Sequence, residues 1–444
     1  MQHKVTTDAV VAFTQCQRKA YYLLRGDQSS RAHDLELALK NRAAVKRSKY
    51  LDGLESNLLH QLPFSADADL QFKVSADDLI SACDAITQAN GRSVRSGGGE
   101  REPHLVVGTS KVSKEQELAA AFAGHVIGQI EGIAPSFGIV VPFSGGRKRS
   151  NLTVLYPQIR SIVEAIRKMS IDSAAEPPLL LCAACATCQF RDHCYREAEE
   201  TDNLTLLHRM TPALMKKYAR RGVFTVNQLS YMFRPRRARK RSAVAPSTFN
   251  VELQALAIRN KKTYLHEAPK LSGRPVELYL DIEGIPDQNF NYLIGLMIKD
   301  HDGVTMKAFW ADTVADESRI FQECIDTINT FPPDIPVYHY GSYEPRAFQS
   351  TKDAYGIKCD TVMKKLVNIN SMIYGKIYFP TRSNRLKDLG AHAGATSNSK
   401  RSTTKAGRFP PLRDFWPITA GFLSQISITR TTRFPEDSNG ALCI

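Results

Sequence analysis

One apolar strand in the second half of the chain constrains the fold more than any other segment. Its sequence is Glu277-Leu-Tyr-Leu-Asp281-Ile-Glu283-Gly284. Because successive side chains of a β-strand point to opposite faces, Asp281 and Glu283 emerge on the same face. Two carboxylates that converge in this way are suited to bind Mg²⁺, and paired ions are what a two-metal phosphodiesterase requires. The strand therefore predicts a sheet that presents a metal site.

Strand and helix patterns alternate around this segment and also earlier in the chain. Apolar runs predict four strands at residues 276–281, 292–298, 305–310 and 337–340. A helix is predicted before the last strand, at residues 317–331. In the first half, a strand, a helix and a strand predict a βαβ unit at residues 105–107, 115–130 and 138–141. Both orders are typical of α/β folds.

The charge of the chain favours a polyanionic partner. The chain has 444 residues, and its 59 Lys and Arg exceed its 45 Asp and Glu, which gives a formal charge of +14. Nucleic acid is the foremost candidate, and charge that only aids solubility is the alternative. A chain longer than about 250–300 residues is expected to form more than one domain. Neither a bilayer-spanning apolar run nor a secretory leader is recognisable, so we expect a soluble, cytoplasmic protein.

The cysteines are spaced as metal ligands rather than as disulfide partners. Of nine cysteines, Cys185, Cys188 and Cys194 lie within ten residues, and Cys16 offers a fourth thiol. Four thiolates can hold a [4Fe–4S] cluster or a structural zinc. Cys182 could replace Cys16 and make a compact zinc site. Redox-sensing thiols are a third interpretation.

Two cysteine contexts resemble RecB-like nucleases of the iron–sulfur type. These are Cys16-Gln-Arg-Lys-Ala and Cys188-Gln-Phe-Arg-Asp-His-Cys194. The resemblance covers roughly residues 5–200. It implies a restriction-endonuclease-type core with helical flanks, in which Cys16, Cys185, Cys188 and Cys194 hold a [4Fe–4S] cluster. The cluster would be architectural, because it would pin both ends of the domain.

The same resemblance implies a nuclease metal site made by one acid and an acid-x-Lys pair. Asp84 stands in the place of the first acid, and Lys111 stands in the place of the lysine. Thr109 occupies the position of the second acid and cannot supply a carboxylate. We therefore expect a weakened or lost metal site in a domain that still binds DNA.

A second resemblance begins at the strand that carries the two acids. Asp281-Ile-Glu283-Gly-Ile-Pro, residues 291–295 and residues 337–345 resemble the ribonuclease H-like, DEDD-type exonuclease domain that is found attached to RecB-like nucleases. The resemblance implies that Glu344 is the third carboxylate. Asp281, Glu283 and Glu344 would then bind Mg²⁺ or Mn²⁺.

The resemblance continues to residue 390, and the family's last acidic motif has no counterpart in residues 395–444. Codons for residues 428–432 can be chosen so that skipping two bases reads Asn-Gln-Asp-Asp. We therefore interpret residues 395–444 as a truncated or frameshifted tail that is poorly ordered.

A helical segment and a basic run separate the two domains. Residues 203–232 predict two short helices around Gly222, and the basic run contacts phosphates or forms a solvated linker. The basic run consists of Arg234, Arg236, Arg237, Arg239, Lys240 and Arg241. The predicted domains are 1–200 (RecB-like), 201–270 (helical segment and basic linker), 271–394 (ribonuclease H-like) and 395–444 (tail).

Together these patterns predict a metal-dependent nuclease that acts on DNA, with 3′–5′ exonuclease character and a role in repair or processing. Single-stranded DNA is the expected substrate. In the class that the two segments resemble, a helicase often follows on the same chain, and this sequence carries no helicase motif. The resemblance therefore implies a helicase as a partner or as a missing domain. The alternative is a catalytically impaired nucleic-acid-binding adaptor, or a fragment of a larger nuclease-helicase.

Overall fold

The computed structural model describes residues 4–26, 33–54, 65–66, 72–88, 101–171, 174–234, 249–269, 274–393 and 442–443. The chain divides into two compact units, Met1–Ala198 and Glu199–Ile444, and each is described by itself. Both units combine helices with sheets, so the predicted mixed α/β fold class is confirmed. The predicted four-part division of the chain stays a prediction.

The first unit contains two sheets and the helices that flank them. Its helices are α1 (Thr7–Gln15), α2 (Gln17–Leu24), α3 (Asp34–Asp52), α4 (Lys114–Glu131), α5 (Tyr156–Met169) and α6 (Arg191–Glu200). Its strands are β1 (Val5–Thr6), β2 (Ser65–Ala66), β3 (Phe72–Ala76), β4 (Leu79–Cys83), β5 (Ala85–Gln88), β6 (Arg101–Val106), β7 (Phe137–Val141) and β8 (Lys148–Asn151). A short 3-10 helix over Ala183–Thr187 precedes α6.

Helix α4 connects two parallel strands. The sheet order is β5-β6-β7-β8, and β6 pairs with β7 in parallel, so the predicted βαβ unit is confirmed. At the start of α4 the Ser113 hydroxyl accepts the Gln116 amide hydrogen, while the Gln116 side chain accepts from the Ser113 amide. The helix ends at Gly132, whose φ of 77° lies in the left-handed region that glycine favours.

The other sheet of this unit, of order β1-β4-β3-β2, is one that the sequence patterns do not predict. Along β4 the buried residues are Leu79, Ser81 and Cys83. Small and polar side chains of this kind carry little strand preference, so the alternation is weak in the sequence. Helices α1, α4 and α5 share one apolar core with these strands, in which Val10 and Phe122 are fully buried.

The second unit contains the strand that carries the two acids. Its strands are β9 (Tyr264–Leu265), β10 (Glu277–Ile285), β11 (Phe290–Lys299), β12 (Val304–Trp310), β13 (Val337–His339), β14 (Leu366–Asn368), β15 (Ile377–Tyr378) and β16 (Leu442–Cys443). Its helices are α7 (Pro212–Ala219), α8 (Val226–Ser230), α9 (Val251–Asn260), α10 (Glu317–Asn329), α11 (Tyr343–Tyr355), α12 (Asp360–Lys365), α13 (Ile369–Ile373) and α14 (Leu386–His392). Its 3-10 helices are Leu204–Leu206, Pro286–Gln288 and Val314–Asp316.

A five-stranded mixed sheet of order β12-β11-β10-β13-β14 forms the centre of this unit. Strand β11 pairs antiparallel with both β10 and β12. Strand β13 runs parallel to β10, and β14 runs parallel to β13. This arrangement is consistent with a ribonuclease H-like fold. The predicted strands and helix of this region are confirmed, and β10 continues past the predicted end at residue 281 to Ile285.

Both faces of the sheet are covered, which explains why β11 is buried at nearly every position. On one face, Leu280 packs with Phe321 of α10 and Phe348 of α11. On the other face, the rings of Tyr279 and Tyr338 stack with centroids 5.5 Å apart. The central strand therefore contributes alternate residues to two different apolar clusters.

The two short helices predicted in residues 203–232 are confirmed as α7 and α8. Thr211 and Thr225 cap their first turns, and Gly222 between them has a φ of 73°. Arg234 is exposed, and the other members of the basic run, like residues 395–441, lie outside the described residues. Within the described ranges, no helix has the length and apolar character needed to cross a bilayer.

We expect Phe348→Ala to lower the free energy of unfolding of the second unit by about 3–5 kcal/mol, since it removes a ring from a closed core. Phe348 is 1% exposed and meets Phe321 edge to face. Urea unfolding measures the change. The control is Phe224→Ala, at a ring that is 60% exposed, which should change stability by less than about 0.5 kcal/mol. Equal effects of the two variants would contradict the described packing.

Candidate active site

The central strand β10 positions the first two acids. Asp281 lies opposite Gly295 of β11, and Glu283 lies opposite Leu293. The register shifts between Glu283 and Gly284, so the strand is irregular directly after the second acid. Both carboxylates thus leave the same face near the end of the strand, as predicted.

Glu344 lies in the first turn of α11, which follows β13 through a tight turn. Gly341 in this turn has a φ of 101°, a backbone conformation that residues other than glycine rarely adopt. The Glu344 side chain is buried, and its Oε2 atom lies 3.2 Å from Nδ1 of His339, the last residue of β13. The imidazole therefore fixes the orientation of this carboxylate.

The three predicted acids act on one another electrostatically. Burial, together with the negative charges of Glu283 and Glu344, raises the pKa of Asp281 to about 7. The structure thus brings the predicted Asp281, Glu283 and Glu344 together. A divalent cation would relieve the repulsion among them, which is the electrostatic condition for a metal site.

A buried polar network behind the acids involves residues that the sequence patterns do not single out. The backbone and side-chain amides of Asn291 both donate to Oε1 of Glu317, each at 2.7 Å. The Tyr343 hydroxyl donates to the Asn291 side-chain oxygen at 2.9 Å, and the Tyr355 hydroxyl donates to Glu317 at 2.8 Å. Asn291 and Tyr343 lie in the two segments that carry the resemblance, but no sequence pattern links either of them to Glu317.

Gly284 makes this arrangement possible because it leaves room for the Tyr343 ring. A Cβ atom at Gly284 would lie 2.2 Å from the Tyr343 hydroxyl oxygen and 2.9 Å from the backbone oxygen of Phe290. Any side chain at this position would therefore displace the Tyr343 hydroxyl from its hydrogen bond with Asn291. The glycine of the predicted Asp-Ile-Glu-Gly motif thus has a steric role.

The most compact group of ligands lies elsewhere. Among the described residues, Asp300, His301 and Asp302 are the one set of three whose ligand atoms all lie within 4.8 Å of one another, and they sit in the exposed turn between β11 and β12. The carboxylates around Asp281 are more widely spaced. A two-metal site tolerates this spacing, because the ions themselves lie about 3.5–4 Å apart.

The four predicted cysteine ligands line one cavity of the first unit. Cys16 lies between α1 and α2, and it shares the cavity with Cys185, Cys188 and Cys194. The alternative ligand Cys182 is not part of the cavity lining, although its sulfur lies 4.0 Å from that of Cys185. The cavity is also lined by basic side chains, namely Arg18, Lys19 and Arg191.

Burial keeps three of these thiols protonated at neutral pH. It raises the pKa of Cys185 to about 12 and that of Cys194 to about 11, and it also raises the pKa of Cys188. The neighbouring Cys16 thiol raises all three pKa values as well. Since the thiolate is the reactive form, these cysteines are poor redox sensors without a metal.

The predicted residues of the RecB-like metal site have different surroundings. Asp84 is completely buried, where it forms a salt bridge with Arg47 and accepts the Val106 amide hydrogen at 2.5 Å. Lys111 is exposed in the loop after β6, beside the half-buried Thr109. Asp84 is therefore held by structural contacts on both carboxylate oxygens, and its predicted catalytic role stays a prediction.

Comparison with known proteins finds a family match within the second unit. Residues 278–406 match the family model of the RNase_H superfamily. This ribonuclease H-like domain spans less than a third of the chain and includes Asp281, Glu283 and Glu344. No curated protein matches the chain. The domain indicates nuclease-like processing of nucleic acid, and domains of this kind typically use Mg²⁺ or Mn²⁺.

We expect the metal-free protein to lose stability as the pH rises from about 4 to about 7. Folding raises the pKa of Asp281 to about 7, so the folded protein holds a proton that the unfolded chain has released above about pH 4. Asparagine cannot ionise, so Asp281→Asn should be more stable than wild type at about pH 8 and equal to it below about pH 4.

Urea unfolding in the presence of a chelator, at several pH values, measures this difference. Asp326→Asn, at an exposed residue of α10, is the control and should shift stability equally at every pH. A difference between wild type and Asp281→Asn that does not change with pH would contradict the electrostatic coupling of the three acids.

Proposed function

We propose that the protein is a metal-dependent nuclease that hydrolyses DNA from the 3′ end, with Asp281, Glu283 and Glu344 as metal ligands. The observation that carries this proposal is the raised pKa of Asp281 beside two other carboxylates on a ribonuclease H-like sheet. Bound Mg²⁺ or Mn²⁺ ions would activate water and stabilise the leaving 3′ oxygen. His339 would hold Glu344 in its ligating orientation through the hydrogen bond at Nδ1.

A second candidate function is a nucleic-acid-binding adaptor with impaired catalysis. The observation that favours it is in the first unit, where both oxygens of Asp84 are engaged and Thr109 replaces an acid. We propose that this unit is RecB-like and binds DNA without cleaving it. The fourth acidic motif of such exonucleases would fall in residues 395–441, which lie outside the described residues. A helicase partner would supply single strands to either activity.

We also propose that Cys16, Cys185, Cys188 and Cys194 hold a [4Fe–4S] cluster. The support is that these four thiols line one cavity beside the basic side chains of Lys19 and Arg191, which suit an anionic group. The third basic lining residue, Arg18, is paired with Glu176 and Glu197. In a tetrahedral zinc site the sulfurs would lie about 3.8 Å apart, as follows from Zn–S bonds of about 2.3 Å. The sulfurs of Cys182 and Cys185 have nearly this spacing, at 4.0 Å, but among the described cysteines no three sulfurs lie within 4.8 Å of one another. The four lining sulfurs are therefore spaced more widely than a zinc site requires.

For the nuclease, Asp281→Asn and Glu283→Gln should each reduce Mg²⁺-dependent degradation of 3′-labelled single-stranded DNA below detection. His339→Ala, which removes only the partner of Glu344, should reduce it about 10–100-fold. Glu277→Gln is the matched control, since Glu277 lies on the same strand but bonds to Tyr279. It should keep wild-type activity. Wild-type protein that binds the strand but never degrades it would favour the adaptor.

For the cluster, protein purified without oxygen should be brown and contain iron. Cys16→Ser should lose the colour and the iron, because it removes one of four ligands. Cys182→Ser is the matched control and should keep both. Zinc in place of iron, together with loss of the metal in Cys182→Ser and its retention in Cys16→Ser, would overturn the assignment and support the compact zinc site.

A further inference from the structure

An open cavity of the second unit lies outside the predicted metal site. It is formed by the chain before α7, by the ends of β13 and β14, by α13 and by the chain before α14. Its lining residues are strongly polar and include no acid: His208, Arg209, Tyr340, Asn368, Asn370, Ser371, Tyr374, Asn384 and Arg385. A cavity with this lining suits an anionic ligand that also accepts hydrogen bonds.

The wall of the cavity is built by specific hydrogen bonds. The Tyr340 hydroxyl donates to the backbone oxygen of Asn384, and the Asn368 side-chain oxygen accepts the amide hydrogens of Gly341 and Asn370 at 3.1 and 3.0 Å. Two buried polar atoms of lining residues lack a hydrogen-bond partner among the described residues, namely Nδ2 of Asn384 and the hydroxyl of Tyr374. Buried polar groups are normally paired, so these two indicate a missing partner.

Two arginines give the cavity its charge. Arg209 and Arg385 are exposed, and neither forms a salt bridge with an acid in the described part of the chain. Burial lowers the pKa of His208, and the positive charges of both arginines lower it further. Because both guanidinium groups act on the pKa of His208, both positive charges lie close to the same cavity.

The backbone at Arg209 is strained. Its φ of 62° lies in the left-handed region, where a non-glycine residue is disfavoured. The guanidinium lies 5.0 Å from the centre of the Tyr374 ring, which is itself stacked on Phe249. An arginine in a conformation that glycine would adopt without strain lowers stability, which indicates that its side chain has another role.

The cavity and the acids lie on the same side of the central sheet. Strands β10 and β13 run parallel, with Tyr279 beside Tyr338 in register. Asp281 lies two residues further along β10, and side chains two residues apart on a strand share a face. Tyr340 directly follows the end of β13 and packs against the same apolar cluster as Tyr279 and Tyr338. The carboxylate of Asp281 and the Tyr340 wall of the cavity therefore emerge from neighbouring strands on one face.

We propose that this cavity binds a backbone phosphate of the nucleic-acid strand whose scissile bond lies at the carboxylates. Arg209 and Arg385 would contact the phosphate oxygens, and Asn384 would donate a hydrogen bond. The inference rests on the proposed nuclease function. It assigns strand binding to residues of the ribonuclease H-like unit and its preceding helical segment.

The test measures binding of a fluorescein-labelled single-stranded oligodeoxynucleotide to the full chain by anisotropy, with Ca²⁺ in place of Mg²⁺ and the probe checked for cleavage on a gel. Arg209→Gly/Arg385→Ala should weaken binding about tenfold per arginine. The slope of log affinity against log salt should become shallower by about 0.7, since one neutralised phosphate of a single strand contributes about 0.7. Arg274→Ala/Arg319→Ala removes the same charge from residues paired with acids elsewhere and is the control.

Folding of the variants is checked by thermal unfolding. Arg209→Gly alone should have an equal or higher midpoint than wild type, because glycine relieves the left-handed strain, while its affinity falls. Ser371→Asp, at an exposed lining residue, provides a second variant that places a negative charge in the cavity and should also weaken binding. Loss of stability without loss of affinity in Arg209→Gly would overturn the inference.

The outcomes separate this inference from the proposed function. Equal affinity and equal salt slope for the cavity variant and the control variant would overturn the inference, even if wild-type protein degrades DNA. Absence of oligonucleotide binding by wild type would overturn it as well. Selective loss of binding in the cavity variant, with a wild type that never degrades the strand, would support the inference and refute the nuclease.

Discussion

The position of β10 between β11 and β13 is the constraint on which the second unit depends. The strand pairs with an antiparallel neighbour on one side and a parallel neighbour on the other, so its backbone has no freedom to slide. Its even-numbered residues, such as Leu280, enter the core beneath α10 and α11. A shift of one residue would bury Asp281 in that core and move Leu280 to the face that now carries the carboxylates. The hydrophobic effect therefore fixes the register that gathers the carboxylates.

Much of this unit is predictable from sequence because strong local signals agree with the final fold. The alternation that places Asp281 and Glu283 on one face is a property of any strand, and β11 is apolar enough to be recognised as a central one. Glu344 required a resemblance, because its approach to Asp281 depends on how α11 follows β13. The Glu317 and Asn291 network could not be predicted, since it joins residues 26 positions apart through hydrogen bonds that leave no periodic pattern.

The first unit shows the opposite balance. Its βαβ element has clear apolar periods, whereas the sheet that contains β4 is made of short strands with small side chains. The spacing of the cysteines suggested a metal site, but the choice between Cys16 and Cys182 depends on tertiary structure. Likewise, the sequence does not show whether an aspartate such as Asp84 binds a metal ion or pairs with an arginine. Only its burial and its contacts with Arg47 and Val106 distinguish the two.

The contact between Gly284 and Tyr343 decides whether the conformational entropy of the carboxylates is lost during folding or during cation binding. Tyr343 is held through Asn291 to Glu317, and Glu344 follows it directly on α11. The first turn of α11 is therefore rigid as soon as the sheet has formed. A ligand carboxylate on a free loop would lose its conformational entropy when a cation arrives, and the affinity would be lower by that amount. Here the entropy is lost during folding, so the cation binding that we propose would only have to overcome the desolvation of charges that already face one another.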